Sequence, residues 1–335
     1  MEMNAIVTGS SGFIGSNLSR ELLKIGFNVV GIDVNNNYYS QELKNFRVNE
    51  LSKYSQFSHK EIDISDFEKF DEIIRNFRPT FVFHLAAQAG VRIPLEDSNK
   101  YVQSNLVGFS TVLQSVLLNE IPNFLYASSS SVYGDNALIP YVESELKLNP
   151  NSFYGATKLS NEILTNSVIK GSRTRARGMR FFTVYGPAGR PDMAYFRIVS
   201  SLINGSNFTL FGDGSIERDF TYIDDCVEMV IRLSEELAEH KEGFSDIVNI
   251  GGGHPVSMEK LIELASKELN KELAITKASK NPKDVAKTMA DSRYLMSLIG
   301  KKPQIKLEEG IKKTIQWATE QVTPEQLESW VKSSI

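Results

Sequence analysis

Eight residues, 8–15, reading TGSSGFIG, constrain this chain more than any other segment. They follow a short β-rich run, 5–8, and lead into a segment, 12–24, where Ile14, Leu18 and Leu22 recur at helical spacing, with Ile25 continuing the face. Glycines at 9, 12 and 15 permit a tight turn, close approach of a ligand to the backbone, and tight packing of the helix on the sheet. The start of such a helix offers free N–H groups and a partial positive charge, which suits a diphosphate. The spacing is G-x-x-G-x-x-G, which departs from the usual G-x-G-x-x-G. Its place between a strand and an amphipathic helix carries the inference.

Asp33 ends the next β-rich run, 28–33, at 18 residues beyond Gly15. A carboxylate there accepts hydrogen bonds from an adenosine ribose. It repels a 2′-phosphate by roughly 4 kcal/mol per charge pair at ~4 Å and an effective dielectric near 20. NAD is therefore expected rather than NADP. Asp63 and Ile64, after a third run, are candidates for an adenine contact, with a helix cap as the other reading of Asp63.

Further strands are expected at 81–86, 124–128 and 179–183, with helix-like segments between them. That alternation predicts an α/β fold, a doubly wound parallel (Rossmann) sheet covered on both faces. After about Gly186 it breaks into short turns (Gly212-Asp213-Gly214, Gly251-Gly252-Gly253) and isolated helices near 257–269 and 308–319. The expectation is an NAD-binding domain over 1–185 and a smaller mixed α/β substrate-binding domain over 186–335, some later strands returning to the first sheet. Substrate then lies at the sheet's carboxyl edge, between the two. Residues 35–39, with the polar stretch to His59, read as a long surface connection. The run Arg173, Arg175, Arg177 alternates charge with small residues and reads as an exposed edge or loop.

The 335 residues are more than one core usually supports, and 41% apolar with 23% charged residues is ordinary for a globular protein. A net charge of −4 gives no broad reason to bind nucleic acid or an acidic membrane. Cys226 is the single cysteine, so no internal disulfide forms. No apolar run approaches the ~20 residues of a membrane span, and the start lacks a signal peptide's basic and apolar regions. A cytoplasmic location is expected. His59, His84, His240 and His254 are scattered, which suggests no metal site, and His84 reads as a structural histidine within a strand.

Tyr154 and Lys158 are four residues apart at the start of a helix-like segment and share one face. Lowering a tyrosine from its usual pKa near 10 toward 7 requires about 4 kcal/mol of differential stabilisation. Positive charge from Lys158 and an oxidised nicotinamide ring favours the phenolate. Tyr154 can then take a hydroxyl proton while hydride leaves the same carbon. The serine run 128–131 ends a strand at the same edge and can hold that hydroxyl.

Taken together, TGSSGFIG, HLAAQAGVR (84–92), SSSSVYG (128–134), Tyr154-x-x-x-Lys158, RFFTVYGPAGRPDM (180–193) and RDFTYIDD (218–225) resemble the extended short-chain dehydrogenase/reductase family. Within it, they are most similar to the UDP-sugar 4-epimerases, above all the UDP-glucuronate 4-epimerases. The resemblance implies a catalytic triad of Ser129, Tyr154 and Lys158. It implies cofactor contacts from Gly9, Ser11, Gly12, Phe13, Ile14, Gly15, Asp33, Asp63, Ile64, Leu85, Ala86, Ala87, Gln88, Asn105, Tyr154, Lys158 and Phe181. Substrate contacts are implied for Arg92, Ser129, Ser130, Ser131, Tyr154, Thr183, Arg190, Arg218 and Asp284, of which Arg218 would hold the diphosphate and Asp284 the uridine ribose. Lys283 stands where the family usually has glycine, and Asn281 where some members have arginine. A UDP-sugar substrate and a homodimer, with helices near 99–118 and 155–168 at its interface, are implied as well.

Family dehydratases carry an acidic pair just before Val-Tyr-Gly and the related decarboxylases a glutamate, whereas this chain has Ser130 and Ser131. Epimerisation needs no such carboxyl group. Arg190 is the candidate partner for a substrate carboxylate, with Ser130 and Ser131 beside it. The expected reaction is therefore inversion at carbon 4 of a UDP-sugar through a 4-keto intermediate, UDP-glucuronate to UDP-galacturonate. The alternatives are an epimerase of a neutral or N-acetylated UDP-hexose, an NAD-dependent sugar-nucleotide dehydrogenase that releases NADH, and a non-catalytic NAD sensor.

Overall fold

In the computed structural model, which describes residues 3–34, 36, 38–91, 94–135, 137–279 and 284–334, strand and helix alternate from the start. The first strands and helices are β1 (Asn4–Thr8), α1 (Phe13–Lys24), β2 (Asn28–Asp33), α2 (Gln41–Leu51), β3 (Phe57–Glu61), α3 (Phe67–Phe77) and β4 (Phe81–His84). Then come α4 (Ser98–Tyr101), a π-helical stretch (Val102–Gly108), α5 (Phe109–Leu118), β5 (Asn123–Ser129), α6 (Phe153–Ile169) and β6 (Arg175–Phe181). Of the apolar face read from the sequence, Leu18 and Leu22 are buried on α1 at 0% and 1% exposure, whereas Ile25 caps the helix end and is 47% exposed because the chain turns there rather than continuing the face.

Beyond β6 lie β7 (Thr183–Tyr185), α7 (Ala194–Asn204), β8 (Phe208–Phe211), β9 (Glu217–Tyr222), α8 (Ile223–Ala238) and β10 (Ser245–Ile250). The chain closes with β11 (Pro255–Ser257), α9 (Met258–Leu269), β12 (Ile275–Ala278), α10 (Arg293–Ile299), α11 (Leu307–Glu320) and α12 (Pro324–Lys332). Among the described residues, seven strands form one sheet in the order β10-β6-β5-β4-β1-β2-β3, with every pairing parallel. This is a doubly wound Rossmann sheet, and its strand order reverses between β1 and β4, where ligands of such sheets bind. A smaller C-terminal domain carries a mixed sheet, β9 between parallel β7 and antiparallel β11, and the parallel pair β8–β12. A late strand, β10, pairs with β6 in the first sheet.

Two sequence readings are corrected. The stretch after Tyr39 is not a surface connection: Gln41–Leu51 is helix α2, capped by the Ser40 hydroxyl, and His59 sits in β3. Leu43, Arg47 and Leu51 line the buried side of α2 at successive four-residue steps, so an arginine interrupts an otherwise recognisable apolar face. The run at 173–177 is not an exposed edge either. β6 begins at Arg175 rather than at Met179 and lies between β5 and β10, with Arg177 fully buried. Its charge is tolerated because Asp246 on β10 takes two of its N–H groups, at 2.7 and 2.8 Å, and Glu236 on α8 a third at 2.6 Å. Only Arg173 behaves as expected, exposed and paired to Glu120.

Candidate active site

The glycine-rich loop is built by backbone geometry that only glycine satisfies. Gly9 adopts a φ of 74°, and a Cβ there would lie 2.8 Å from the Ala86 nitrogen, across the point where the strand order reverses. A Cβ on Gly15 would lie 2.1 Å from the Gly9 carbonyl oxygen, so a side chain would push α1 away from the loop. The N-cap of α1 is Gly12, with no side-chain cap and no acidic residue in the first turn. The N–H groups of Phe13 and Ile14 begin the helix there, and this donor-rich, acid-free turn fits a diphosphate. Asp33, ending β2, accepts from the Ser11 N–H at 3.0 Å and the Ser11 hydroxyl at 2.5 Å. The sequence-derived carboxylate and loop are therefore joined, as ribose recognition beside a phosphate seat requires.

Past β4, Leu85 and Ala86 donate to the Thr8 carbonyl and hydroxyl, which ties this segment to β1. Ala87 follows, and Gln88 is bracketed by Asn105: its N–H donates to Asn105 Oδ1 at 2.7 Å, and Asn105 Nδ2 returns to its carbonyl. Asn105 lies in the π-helical stretch and reaches Thr157 of α6 as well. It thus braces the segment after β4 against the helix that carries Tyr154. His84 is fully enclosed, hydrogen-bonded to Thr8, and burial lowers its pKa to about 3, so it stays neutral as a structural residue. Asp63 Oδ1 accepts from the Ser65 N–H and hydroxyl in a turn before α3. Ile64 is buried in the apolar cluster beneath Gly108.

Ser129, Tyr154 and Lys158 meet at the carboxyl end of β5. Ser129 closes that strand, and its Oγ lies 3.1 Å from Ser131 Oγ and accepts from the Ser131 N–H at the same distance. Ser130 and Ser131 form the tight turn that follows. Tyr154 sits in the first turn of α6, capped by Ser152, and Lys158 follows one turn later with Nζ 5.9 Å from the centre of the Tyr154 ring. The Lys158 ammonium is almost wholly buried and donates to the Ala127 carbonyl at 2.8 Å. Burial lowers its pKa to about 8.

Burial raises the Tyr154 pKa, and the charge of Arg190 and a hydrogen bond with Ser129 oppose it. Arg190, on the 186–192 loop, is thus a second cation acting on the ring that Lys158 approaches to 5.9 Å. Arg190 is itself engaged: Nε and Nη2 donate to the Asp192 carboxylate at 3.0 and 2.5 Å, and its guanidinium lies 5.9 Å from the centre of the Tyr38 ring. Tyr38 in turn donates to the Ala89 carbonyl.

Phe181 and Thr183 bound the break between β6 and β7 at the same edge. Arg218 on β9 donates to the carbonyls of Glu217 and Val285, which draws the segment holding Asp284 toward that strand. A cavity of about 270 Å³ opens there, lined among others by Asp135, Tyr141, Asp284 and Lys287. Arg92, Asn281 and Lys283 lie outside the described residues.

Several neighbours of the site were not read from sequence. Glu162, one turn beyond Lys158, accepts from Ser128 at 2.5 Å and binds Arg180 through both oxygens, at 2.9 and 2.8 Å. Tyr38 and Asp192 surround Arg190. Arg47, 3% exposed, reaches Ser11 and the 188–189 backbone. Ala188 holds a left-handed φ of 49°, at a cost of roughly 1–2 kcal/mol for a residue with a Cβ. The one sequence signal for Arg47 was its place between Leu43 and Leu51 on a helix face.

Known proteins resemble this chain over nearly its whole length. A family model described as the NAD dependent epimerase/dehydratase family matches residues 5–251. Protein CapI of Staphylococcus aureus is 36% identical over 331 residues, 95% of this chain and 99% of that protein. The UDP-glucuronate 4-epimerase of Thermodesulfobacterium geofontis is 37% identical over 319 residues, 95% of this chain and 96% of that one. Among solved structures, UDP-glucuronic acid 4-epimerase from Bacillus cereus, in complex with UDP-glucuronic acid and NAD, superposes with a TM-score of 0.87. It is 32% identical, with 95% of this chain and 99% of that chain covered.

Proposed function

The chain belongs to the NAD dependent epimerase/dehydratase family, and on that premise we propose that it inverts carbon 4 of UDP-glucuronate to give UDP-galacturonate. It is an NAD-dependent UDP-sugar 4-epimerase. When bound, NAD would supply a reversible hydride acceptor for the sugar carbon. Tyr154 takes the proton of the 4-hydroxyl and later returns it, while Ser129 holds that hydroxyl in line. Lys158, fastened to Ala127, keeps α6 at a constant distance from β5. The 4-keto intermediate must turn over within the site, so no group is needed to expel water or carbon dioxide, and none stands at Ser130 or Ser131.

The observation that carries the reading is the convergence of Ser129, Tyr154 and Lys158 at the end of β5. A guanidinium whose charge is felt at Tyr154, as that of Arg190 is, suits a sugar with a carboxylate at carbon 6. Arg190 would hold that carboxylate, sharing it with Asp192 or exchanging one for the other. The 4-keto uronate is a β-keto acid, and it loses carbon dioxide if its carboxylate rotates out of the ring plane, so holding that group also protects the intermediate. Asp33 and the 9–15 loop are assigned to NAD, and Arg218 with Asp284 to the UDP end. Residues 1–185 then bind the cofactor and residues 186–335 the substrate, with β10 completing the first sheet.

The test is to supply UDP-glucuronate, UDP-glucose and UDP-N-acetylglucosamine separately and to separate the products by chromatography. UDP-galacturonate should form with no net NADH. Equal or better turnover of UDP-glucose would end the uronate assignment, and accumulation of NADH would make the enzyme a dehydrogenase. Tyr154→Phe should lower turnover about 10²–10⁴-fold with NAD still bound.

No helix among the described residues is long and apolar enough to cross a membrane, and a cytoplasmic site is proposed. A homodimer is proposed as well. Its support is the exposed apolar set Val107, Leu118, Ile163, Leu164 and Val168, on the π-helical stretch, α5 and α6. Sedimentation of the purified protein as a monomer at micromolar concentration would refute it.

A further inference from the structure

Arg47 is buried, and its five hydrogen bonds all run to neutral oxygens. Nη1 donates to the Ser11 carbonyl of the glycine-rich loop at 2.9 Å and to the Tyr39 hydroxyl at 2.6 Å. Nε and Nη2 donate to the Ala188 carbonyl at 3.0 and 2.8 Å, and Nη2 also to Gly189 at 2.9 Å. No carboxylate among the described residues pairs with it. A guanidinium is costly to bury without one, and its planar fork is suited to holding several acceptors in a fixed relation. The two segments it joins lie 36 and 141 residues from it in sequence, and they are the glycine-rich loop and the loop that leads to Arg190.

We propose that Arg47 is a latch that makes NAD a resident cofactor. It fastens the 186–190 loop to the glycine-rich loop, so the crevice at the β1–β4 reversal cannot open without breaking these bonds. The left-handed Ala188 is held in place by the same contacts. Arg47 is thus a positioning residue, acting on the cofactor through Ser11 and on the substrate end through Arg190. The inference rests on the epimerase reading, because only an enzyme that recovers its own hydride gains from never releasing NAD.

The test measures NAD release directly. Wild type, Arg47→Met and Arg47→Lys are purified, passed into NAD-free buffer, and the nucleotide remaining on the protein is followed with time. Arg177→Met serves as a control, since it removes an equally buried guanidinium that touches neither loop. Arg47→Met should lose NAD at least tenfold faster than wild type. Arg47→Lys, which keeps the charge but cannot span all the carbonyls, should fall between them and reports if the methionine variant does not fold. Added NAD should restore kcat of the leaking variants while KM for UDP-glucuronate stays raised, because Arg190 is no longer held. Release within twofold of wild type would overturn the latch, and so would equal leakage from Arg177→Met. A wild-type protein that neither carries nor takes up NAD would overturn the functional reading and the latch together, an outcome distinct from the other two.

Discussion

Arg177 and Arg47 are buried to nearly the same degree, 0% and 3% exposed, and differ in what satisfies them. Arg177 in β6 meets two carboxylates, Asp246 and Glu236, and Tyr294 completes the cluster through Asp246. Arg47 in α2 meets carbonyls and one phenol. A guanidinium neutralised within the protein ties secondary structure together, here β6, β10 and α8. One that is solvated only by backbone oxygens spends its rigid geometry on loop position. The first is expected to matter for stability, and the second for what the loops enclose.

The largest effect should come from breaking the neutralised arginine. Arg177→Met leaves Asp246 and Glu236 facing a buried site without their cation, and should cost about 3–5 kcal/mol in denaturant unfolding. Below its unfolding transition this variant should keep NAD, and loss of NAD in step with stability would erase the distinction between the two arginines.

Lys158 sharpens the same contrast, because it too is buried with a neutral oxygen as partner, but it can lose its proton. Burial lowers its pKa to about 8 from an ordinary 10.5. Between those values the unfolded chain binds a proton that the folded protein has released, so stability rises with pH across that window. The gain from this group should reach about 3 kcal/mol in cofactor-free protein. Comparing urea unfolding at pH 8 and pH 10 for wild type and Lys158→Met checks it, and an unchanged slope in the variant would assign the rise to other groups.

The smallest effect should come from Arg173, two residues from β6. Its bond to Glu120 is exposed on both sides, with side-chain exposures of 67% and 56%. Arg173→Ala should change stability by less than about 0.5 kcal/mol. The same run of basic residues would thus hold one of the costliest positions in the protein and one of the cheapest.

That gradient shows where reading along the chain succeeds. The loop 8–15, its helix, Asp33 and the Tyr154–Lys158 pair are local patterns whose meaning depends on neighbours a few residues away. The strands at β1 and β2 were legible because their middles, Ile6-Val7 and Val29-Val30 with Ile32, are apolar and β-branched. α2 and the first half of β6 were misread because each buries charge, and the partners that make burial tolerable arrive from afar. Asp246 is 69 residues from Arg177, and Ala188 is 141 from Arg47. The candidate site divides the same way. Ser129, Tyr154 and Lys158 were legible, whereas the Glu162–Arg180 pair behind them and the cover formed by Tyr38, Arg47 and Asp192 were not.

What the sequence determined by itself was the doubly wound sheet, the glycine-built loop at its first turn and the shared face of Tyr154 and Lys158, since sterics and periodicity act over single turns. Tertiary structure alone decided which charges lie inside, that Arg190 acts on Tyr154, and how two distant loops are joined through Arg47. Burial energies depend on the groups that surround a charge in space, and those are assembled only when the chain has closed on itself.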